Sequence, residues 1–146
     1  PMYKHILLPT DGSELSNRAI KHAVKLAKTL KARITGMTST PTWHDLYAGP
    51  GARMVSSDDY EKEAEANAAK ALATIARAAK RARVPCATVH VRHPHAWEAI
   101  IRTARIKGCD AIVMASHGRS GMKALVLGSE TNKVLAHSRI PVLVHR

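Results

Sequence analysis

Apolar positions along the chain fall into two rhythms. Short unbroken apolar runs recur as "HILLPT" (His5 to Thr10), "ARITGMTST" (Ala32 to Thr40), "CATVHVR" (Cys86 to Arg92), "DAIVMA" (Asp110 to Ala115) and "PVLVH" (Pro141 to His145). Each is bounded by turn-forming residues, so each reads as a strand. Between them the spacing changes to a helical one. After Ser13, a cap with Glu14 and Ser16 in the turn that follows, Ala19, Ala23, Leu26, Ala27 and Leu30 form a stripe, while Arg18, Lys21, Lys25 and Lys28 face water. A second helix begins after "SSDD", continues through the alanine-rich "AEANAAKALATIARAA" and ends in "KRAR", with charge signs that complement its dipole at both ends. Pro94 opens a third, with Trp97, Ile100, Ile101 and Ala104 as its stripe, and "SETNKVLAHS" is a fourth. From Ser39 to Ser57, two prolines and Gly-Pro-Gly break any period, and a long flap-like connection is expected. Apolar strands alternating with helices imply an α/β fold with a parallel sheet covered on both faces.

Composition narrows this picture. At 146 residues and 45% hydrophobic, one domain spanning 1–146 with one sizeable core is expected. No apolar stretch approaches the roughly 20 residues of a membrane span, and no signal pattern opens the chain, so a soluble cytoplasmic protein is expected. Cys86 and Cys109 stand far apart and outside any C-x-x-C pair, which reads as two reduced thiols. The net charge of +12 attracts phosphate-bearing partners at long range. Its lysines and arginines are spread over helix surfaces, however, and with 3% aromatic residues and no Phe there is little to stack on bases. Specific nucleic-acid binding is not expected.

Two strand ends carry unusual chemistry: "PTDGS" after the first strand and "ASHGRSG" after the fourth. If those strands are neighbours, both loops line one cleft at the carboxyl edge of the sheet. Gly118 and Gly128 let a phosphate chain approach the backbone, and Ser129 and Thr131 add hydroxyls beside the free N–H groups of a helix start. Arg119 and Lys123 in the intervening loop add attraction. Asp11 accepts only, so it suits a sugar hydroxyl or a base amine and not a phosphate. Taken singly, each feature has a plainer reading: the glycines as turns, Ser129 as a helix cap, Asp11 as an Asx turn. Their conjunction describes a nucleotide site. His117 can act as a base or donate a hydrogen bond, and without a G-x-x-x-x-G-K-[ST] loop no catalytic residue is assigned. His90, His93 and His95 lie close in sequence but need not converge, and with His44 and Asp45 they read as surface groups, so no metal site is assigned.

These residues also carry a resemblance. "YKHILLPTDGSELSNRAIKHAVKLAK", "GCDAIVMASHGRSG" and "LGSETNKVLAHSRIPVLV" resemble the universal stress protein family over nearly the whole chain, least between Ser39 and Ser57. Its ATP-binding members carry Gly, two residues, Gly, nine residues, then Gly and Ser or Thr. Here Gly118, Gly128 and Ser129 match, and Ala115 takes the first glycine position. The resemblance implies an open, doubly wound, Rossmann-like five-stranded sheet in the order 3-2-1-4-5. It implies ATP, with or without Mg2+, between the first and fourth strands. Pro9, Thr10 and Asp11 would surround the adenosine, and Thr38 would meet the adenine through its backbone. Ala115, His117 and Gly118 would run along ribose and phosphates, and Gly128, Ser129, Glu130 and Thr131 would hold the tail. The implied protein is a stress-response regulator, a homodimer paired through "IPVLVHR", whose state a further protein partner reads. The competing readings are a slow ATPase and a member without nucleotide that acts through protein contacts, the latter favoured by Ala115.

Overall fold

The computed structural model of the chain describes residues 2–47, 55–117 and 127–146. Five parallel strands form one sheet in the order β3-β2-β1-β4-β5. β1 (His5–Pro9) lies at the centre between β2 (Arg33–Thr40) and β4 (Ala111–Ala115), with β3 (Cys86–Arg92) and β5 (Val142–His145) at the edges. The helices are α1 (Glu14–Leu30), α2 (Trp43–Tyr47), α3 (Ser57–Ala82), α4 (Ala96–Lys107) and α5 (Ser129–His137).

The unbroken apolar runs have the cause expected of a doubly covered sheet: alternate residues feed two cores. Ile6, Leu8, Ile34 and Val113 point to one face and pack with Ile20, Ala23, Val24 and Ala27 of α1 and Leu72, Ile75 and Ala79 of α3. Leu7, Met37, Ile112 and Met114 point to the other and pack with Ala99, Ile100 and Ala104 of α4 and Val134 of α5. The alanine-rich stretch of α3 lets that helix approach closely. A Cβ built on Gly36 of β2 would lie 2.8 Å from Ile75 Cδ1 and 2.9 Å from Cγ2, so the glycine is the strand's share of the same contact.

Helix ends follow the sequence with small corrections. Ser13 caps α1, its hydroxyl accepting the Ser16 N–H at 3.2 Å, and Ser56 caps α3 in the same way at 3.1 Å from Asp59 N. α1, α3 and α4 all end in a left-handed residue, Lys31, Arg83 and Gly108, at φ 57°, 59° and 70°. α4 starts at Ala96 and not at Pro94, with His95 at the cap. The stripe of α1 turns by a residue: Ile20 and Val24 are buried, while Leu26 and Leu30 are half-buried at its margin. In α4, Ala99 and Thr103 join Ile100 and Ala104 inside, and Trp97 and Ile101 are half-buried. In α4 the shift arises because alanine and threonine carry burial without announcing it in a hydropathy pattern; in α1, Ile20 and Val24 take the core-facing side and leave Leu26 and Leu30 at its margin.

The expected flap from Ser39 to Ser57 is partly ordered structure. Ser39 and Thr40 belong to β2, pairing with Val91 and Arg92, and α2 follows at once. The short helix is held by tertiary contacts that a periodicity search cannot register. The Trp43 N–H donates to Glu61 at 2.9 Å and the Tyr60 hydroxyl to the Pro41 carbonyl at 2.7 Å. Arg92 pairs with Glu61 and also reaches the Pro41 carbonyl at 2.9 Å. This hydrogen bond from Arg92 holds the Glu61 carboxyl below its ordinary range. Residues 48–54 lie outside the described ones.

Candidate functional site

The strand order reverses between β1 and β4: the chain leaves β1 for β2 on one side and reaches β4 on the other. At the carboxyl ends of such a pair the connecting helices diverge and leave a crevice. Here it is a hollow of about 380 Å³. Its lining includes Pro9, Thr10 and Asp11 after β1, Thr38 in β2, Ala115 and His117 at the end of β4, and Gly128, Ser129, Glu130 and Thr131 at the start of α5. The structure therefore brings together every site residue named from the sequence except Gly118, which lies outside the described residues together with Arg119 and Lys123.

Each residue is held for a local reason. Thr10 is buried, with its N–H donated to the Met37 carbonyl at 2.8 Å and its hydroxyl accepting the Gly12 N–H at 3.1 Å. Gly12 sits at φ 80°, which a side chain would oppose. Asp11 closes an Asx turn, as one of its two readings required. Its Oδ1 accepts the Ser13 N–H at 2.9 Å and the Ser16 hydroxyl at 2.8 Å. The carboxylate thus reaches the hollow already fixed in orientation.

Ala115 is extended strand, and its side chain clusters with Leu15 and Ala19 of α1. The methyl group that replaces a motif glycine is accommodated against that helix. The Ala115 carbonyl accepts the Thr131 hydroxyl at 3.0 Å, which ties α5 to the end of β4. Gly128 completes the junction. Its N–H donates to the Ser116 carbonyl at 2.7 Å. A Cβ there would stand 3.1 Å from His117 Cα and 3.3 Å from the Ser116 oxygen. Its φ is −63°, so close approach and not backbone handedness demands the glycine.

Gly128 is also the N-cap of α5 and offers no side-chain acceptor. Among the described residues nothing caps the opening amides of α5 at Ser129, Glu130 and Thr131, which line the hollow at the positive end of the helix dipole. Ser129 is the first helical residue and not the cap, so its exposed hydroxyl stands beside those amides. The Glu130 side chain also links α5 to α4. Its Oε2 accepts the Trp97 N–H of α4 at 3.0 Å. His117 lies across from α5, its Nδ1 3.2 Å from the Ser116 hydroxyl.

The sequence reading missed Ser16, Met37, Ser39, Ala96, Ile100 and Met114, which also line the hollow. Met37, Met114 and Ile100 were legible as core; what was not legible is that the core ends there in an apolar wall. Outside the site, His90 Nε2 is bonded to the Thr40 hydroxyl at 2.7 Å and His93 lies 3.7 Å from Glu98. Burial pushes the Cys109 thiol up to about 11 and raises Cys86 as well, which disfavours the thiolate form at both. No helix among the described residues is long and apolar enough to cross a membrane.

An open parallel sheet with a crevice at its point of strand reversal defines the doubly wound α/β class of folds. Comparison with known proteins narrows the class: the model of the universal stress protein family matches residues 2–146. Universal stress protein MJ0577 of Methanocaldococcus jannaschii is 33% identical over 162 aligned residues, covering 98% of this chain and 94% of that protein. The chain belongs to the universal stress protein family. The solved structure of MJ0577 superposes with a TM-score of 0.80 at 29% identity, covering 99% and 96% of the two chains. Two more distant members share the fold. One, solved in complex with cAMP, has a TM-score of 0.69 at 21% identity, covering 100% of this chain and 98% of that one. The other, from Archaeoglobus fulgidus and solved in complex with dAMP, has a TM-score of 0.67 at 18% identity over 100% of both chains.

Proposed function

We propose that this chain is a stress-response regulatory protein that holds an adenine nucleotide in the hollow between β1 and β4. The observation that carries this is the pairing of two opposed chemistries across one crevice of about 380 Å³. On one rim are the opening amides of α5, which suit a phosphate. On the other is the oriented carboxylate of Asp11, which suits a ribose hydroxyl or a base amine. Met37, Met114 and Ile100 supply an apolar wall for a flat base. Gly128 fits the same account, because a Cβ there would meet His117 Cα at 3.1 Å and crowd the joint between β4 and α5. The cAMP and dAMP complexes of two relatives support the ligand class. ATP fills the same role with a longer tail, with or without Mg2+ as its companion ion.

The proposed protein is one domain, works in the cytoplasm and acts as a homodimer. β5 is a sheet edge with Leu143 43% exposed, an apolar edge that pairing would cover. A partner protein would read the occupied state.

The test is to denature the purified protein and identify released nucleotide by chromatography, alongside thermal melts with ATP, ADP and AMP. At a hundredfold excess over Kd, binding stabilises by about 2.7 kcal/mol. That corresponds to roughly 5–10 °C in Tm for a domain of this size. Release of no nucleotide together with no shift for any of the three would end this reading and favour a member that works through protein contacts alone.

A further inference from the structure

A parallel sheet whose crossover helices run back along it gathers the strand starts and the helix ends on one edge of the molecule. Backbone hydrogen bonds set the five strand entries side by side there: Ile34 N–H to the Pro85 carbonyl, Arg33 N–H to Lys4, Asp110 N–H to His5 and Ile112 N–H to Pro141, all at 2.9 Å. Each entry carries an exposed cation. Across the sheet from β3 to β5 these are Arg83, Arg33, Lys4, Lys107 and Arg139, a row roughly 19 Å long at a strand spacing of about 4.8 Å. The helix ends add Lys28, Lys31, Lys80, Arg81 and Arg105, all exposed. Ten of the chain's 23 lysines and arginines thus share one end, a concentration that their spread along the sequence conceals.

Carboxylates are distributed the opposite way. Of the chain's 11, all within described residues, Asp110 alone stands at this end, and it is occupied by the Lys4 and His5 N–H groups at 2.8 and 3.0 Å. The others lie in loops that follow strands, in α2 or in the opening halves of helices. Among the described residues, none of these ten cations pairs with a carboxylate side chain. The carbonyl ends of the helices offset only about half a charge each. Two apolar side chains accompany the cations. Ile106, between Arg105 and Lys107, is 65% exposed and Met2, two residues before Lys4, is 73% exposed, the highest values among the large hydrophobic side chains described.

We propose that this end of the protein docks on an anionic lipid surface. Clustered cations draw a protein to such a surface and apolar side chains among them enter its interface, two signals that together hold where one does not. A nucleic-acid backbone answers the charge but offers nothing to Ile106. The edge is also built of turns and helix ends, whereas a groove takes a helix laid along it or a two-stranded ribbon. The nucleotide hollow lies at the other ends of the strands, so docking leaves it open to solution, and the inference stands whatever the hollow binds.

The experiment is co-sedimentation with vesicles of phosphatidylcholine, alone or with about one-third phosphatidylglycerol, at about 0.1 M and about 0.5 M salt. The wild type is expected to bind the anionic vesicles at the lower salt only, and the neutral ones at neither. Lys4→Gln/Arg33→Gln/Lys107→Gln removes three charges from the row, and Lys21→Gln/Lys62→Gln/Lys133→Gln removes three exposed charges from elsewhere and leaves the same net charge. At roughly fivefold per cation near the surface, the row variant is expected to bind at least about tenfold more weakly than wild type, and the other triple variant within about threefold. Ile106→Gln keeps the charge and is expected to weaken vesicle binding by about threefold or more. Should the row variant melt at a lower temperature, Lys4→Gln and Lys107→Gln singly carry the same test, each expected to weaken binding about fivefold. The proposal is overturned if the anionic vesicles are not bound at the lower salt, or if the two triple variants lose affinity equally. Tighter binding to a mixed-sequence DNA duplex than to the vesicles, with Ile106→Gln affecting neither, would assign this end to a phosphodiester backbone and equally overturn it.

Discussion

Gly128→Ala places one methyl group at the joint between the end of β4 and the start of α5. Its Cβ would lie 3.1 Å from His117 Cα, 3.2 Å from His117 Cβ and 3.3 Å from the Ser116 oxygen. Ordinary contact needs several tenths of an ångström more, and two of these three neighbours are backbone, so no side chain can turn aside. The first turn of α5 must move out, stretching the Gly128–Ser116 hydrogen bond of 2.7 Å and the Thr131–Ala115 bond of 3.0 Å. Overpacking of this kind costs about 1–3 kcal/mol, which for a domain of this size lowers Tm by roughly 2–10 °C. The same movement shifts the amides of Ser129 and Glu130 off the position a phosphate would occupy, and losing one charge-assisted hydrogen bond of about 1.5–3 kcal/mol weakens binding by roughly ten- to a hundredfold. Gly128→Val adds two more carbons and should lower stability further. The assays are urea denaturation for stability and calorimetry with AMP for affinity. An alanine variant with wild-type stability and wild-type affinity would refute the reasoning. Lost affinity at unchanged stability would show that the turn yields more easily than its contacts indicate.

Other consequences follow from the same structure. His5 is buried at the start of β1, with Nε2 2.7 Å from the Thr35 hydroxyl. Burial, together with the nearby charge of Arg33, lowers its pKa from 6.5. The unfolded chain therefore takes up a proton at this position before the folded one does, and stability is lost as pH falls below about 6.5 until the folded pKa is passed. His5→Gln should flatten the fall in urea midpoint between pH 6.5 and 5, and an unchanged slope would count against the assignment. Lys31 and Arg83 hold left-handed conformations at φ 57° and 59°. Lys31→Gly and Arg83→Gly should each stabilise the protein by about 0.5–1 kcal/mol, since glycine escapes the steric penalty but loses more backbone entropy. Gly108→Ala, at φ 70° with nothing within 4 Å of the new methyl, should cost about 1 kcal/mol through backbone strain alone. Thermal melts of the three variants check these signs together.

Much of the architecture was legible because the strands are short, apolar and cleanly separated. "CATVHVR" matches β3 residue for residue, and the capping role of Ser13 followed from its place before Glu14. Less visible was whatever depended on residues distant in sequence. α2 is stabilised by Glu61, Tyr60 and Arg92, none of them local to it. The site was legible where glycines and hydroxyls cluster at strand ends, since those residues are conspicuous against apolar runs. Glu130 shows the limit of that approach. Its position beside Ser129 placed it in the cradle, but only the packing of α4 on α5 brings the Trp97 N–H to its carboxylate. Asp11 took the Asx turn and the hollow together, two roles that the sequence could only offer as alternatives.

The central claim is that an adenine nucleotide sits between Asp11 and the first turn of α5. Amide chemical shifts recorded during titration with AMP test it most directly. The account predicts that the N–H signals of Ser129, Glu130 and Thr131 move furthest, with Asp11 and Thr38 following and β3 residues such as Ala87 unmoved. Saturable shifts confined to another face of the sheet, with the start of α5 silent, would contradict it.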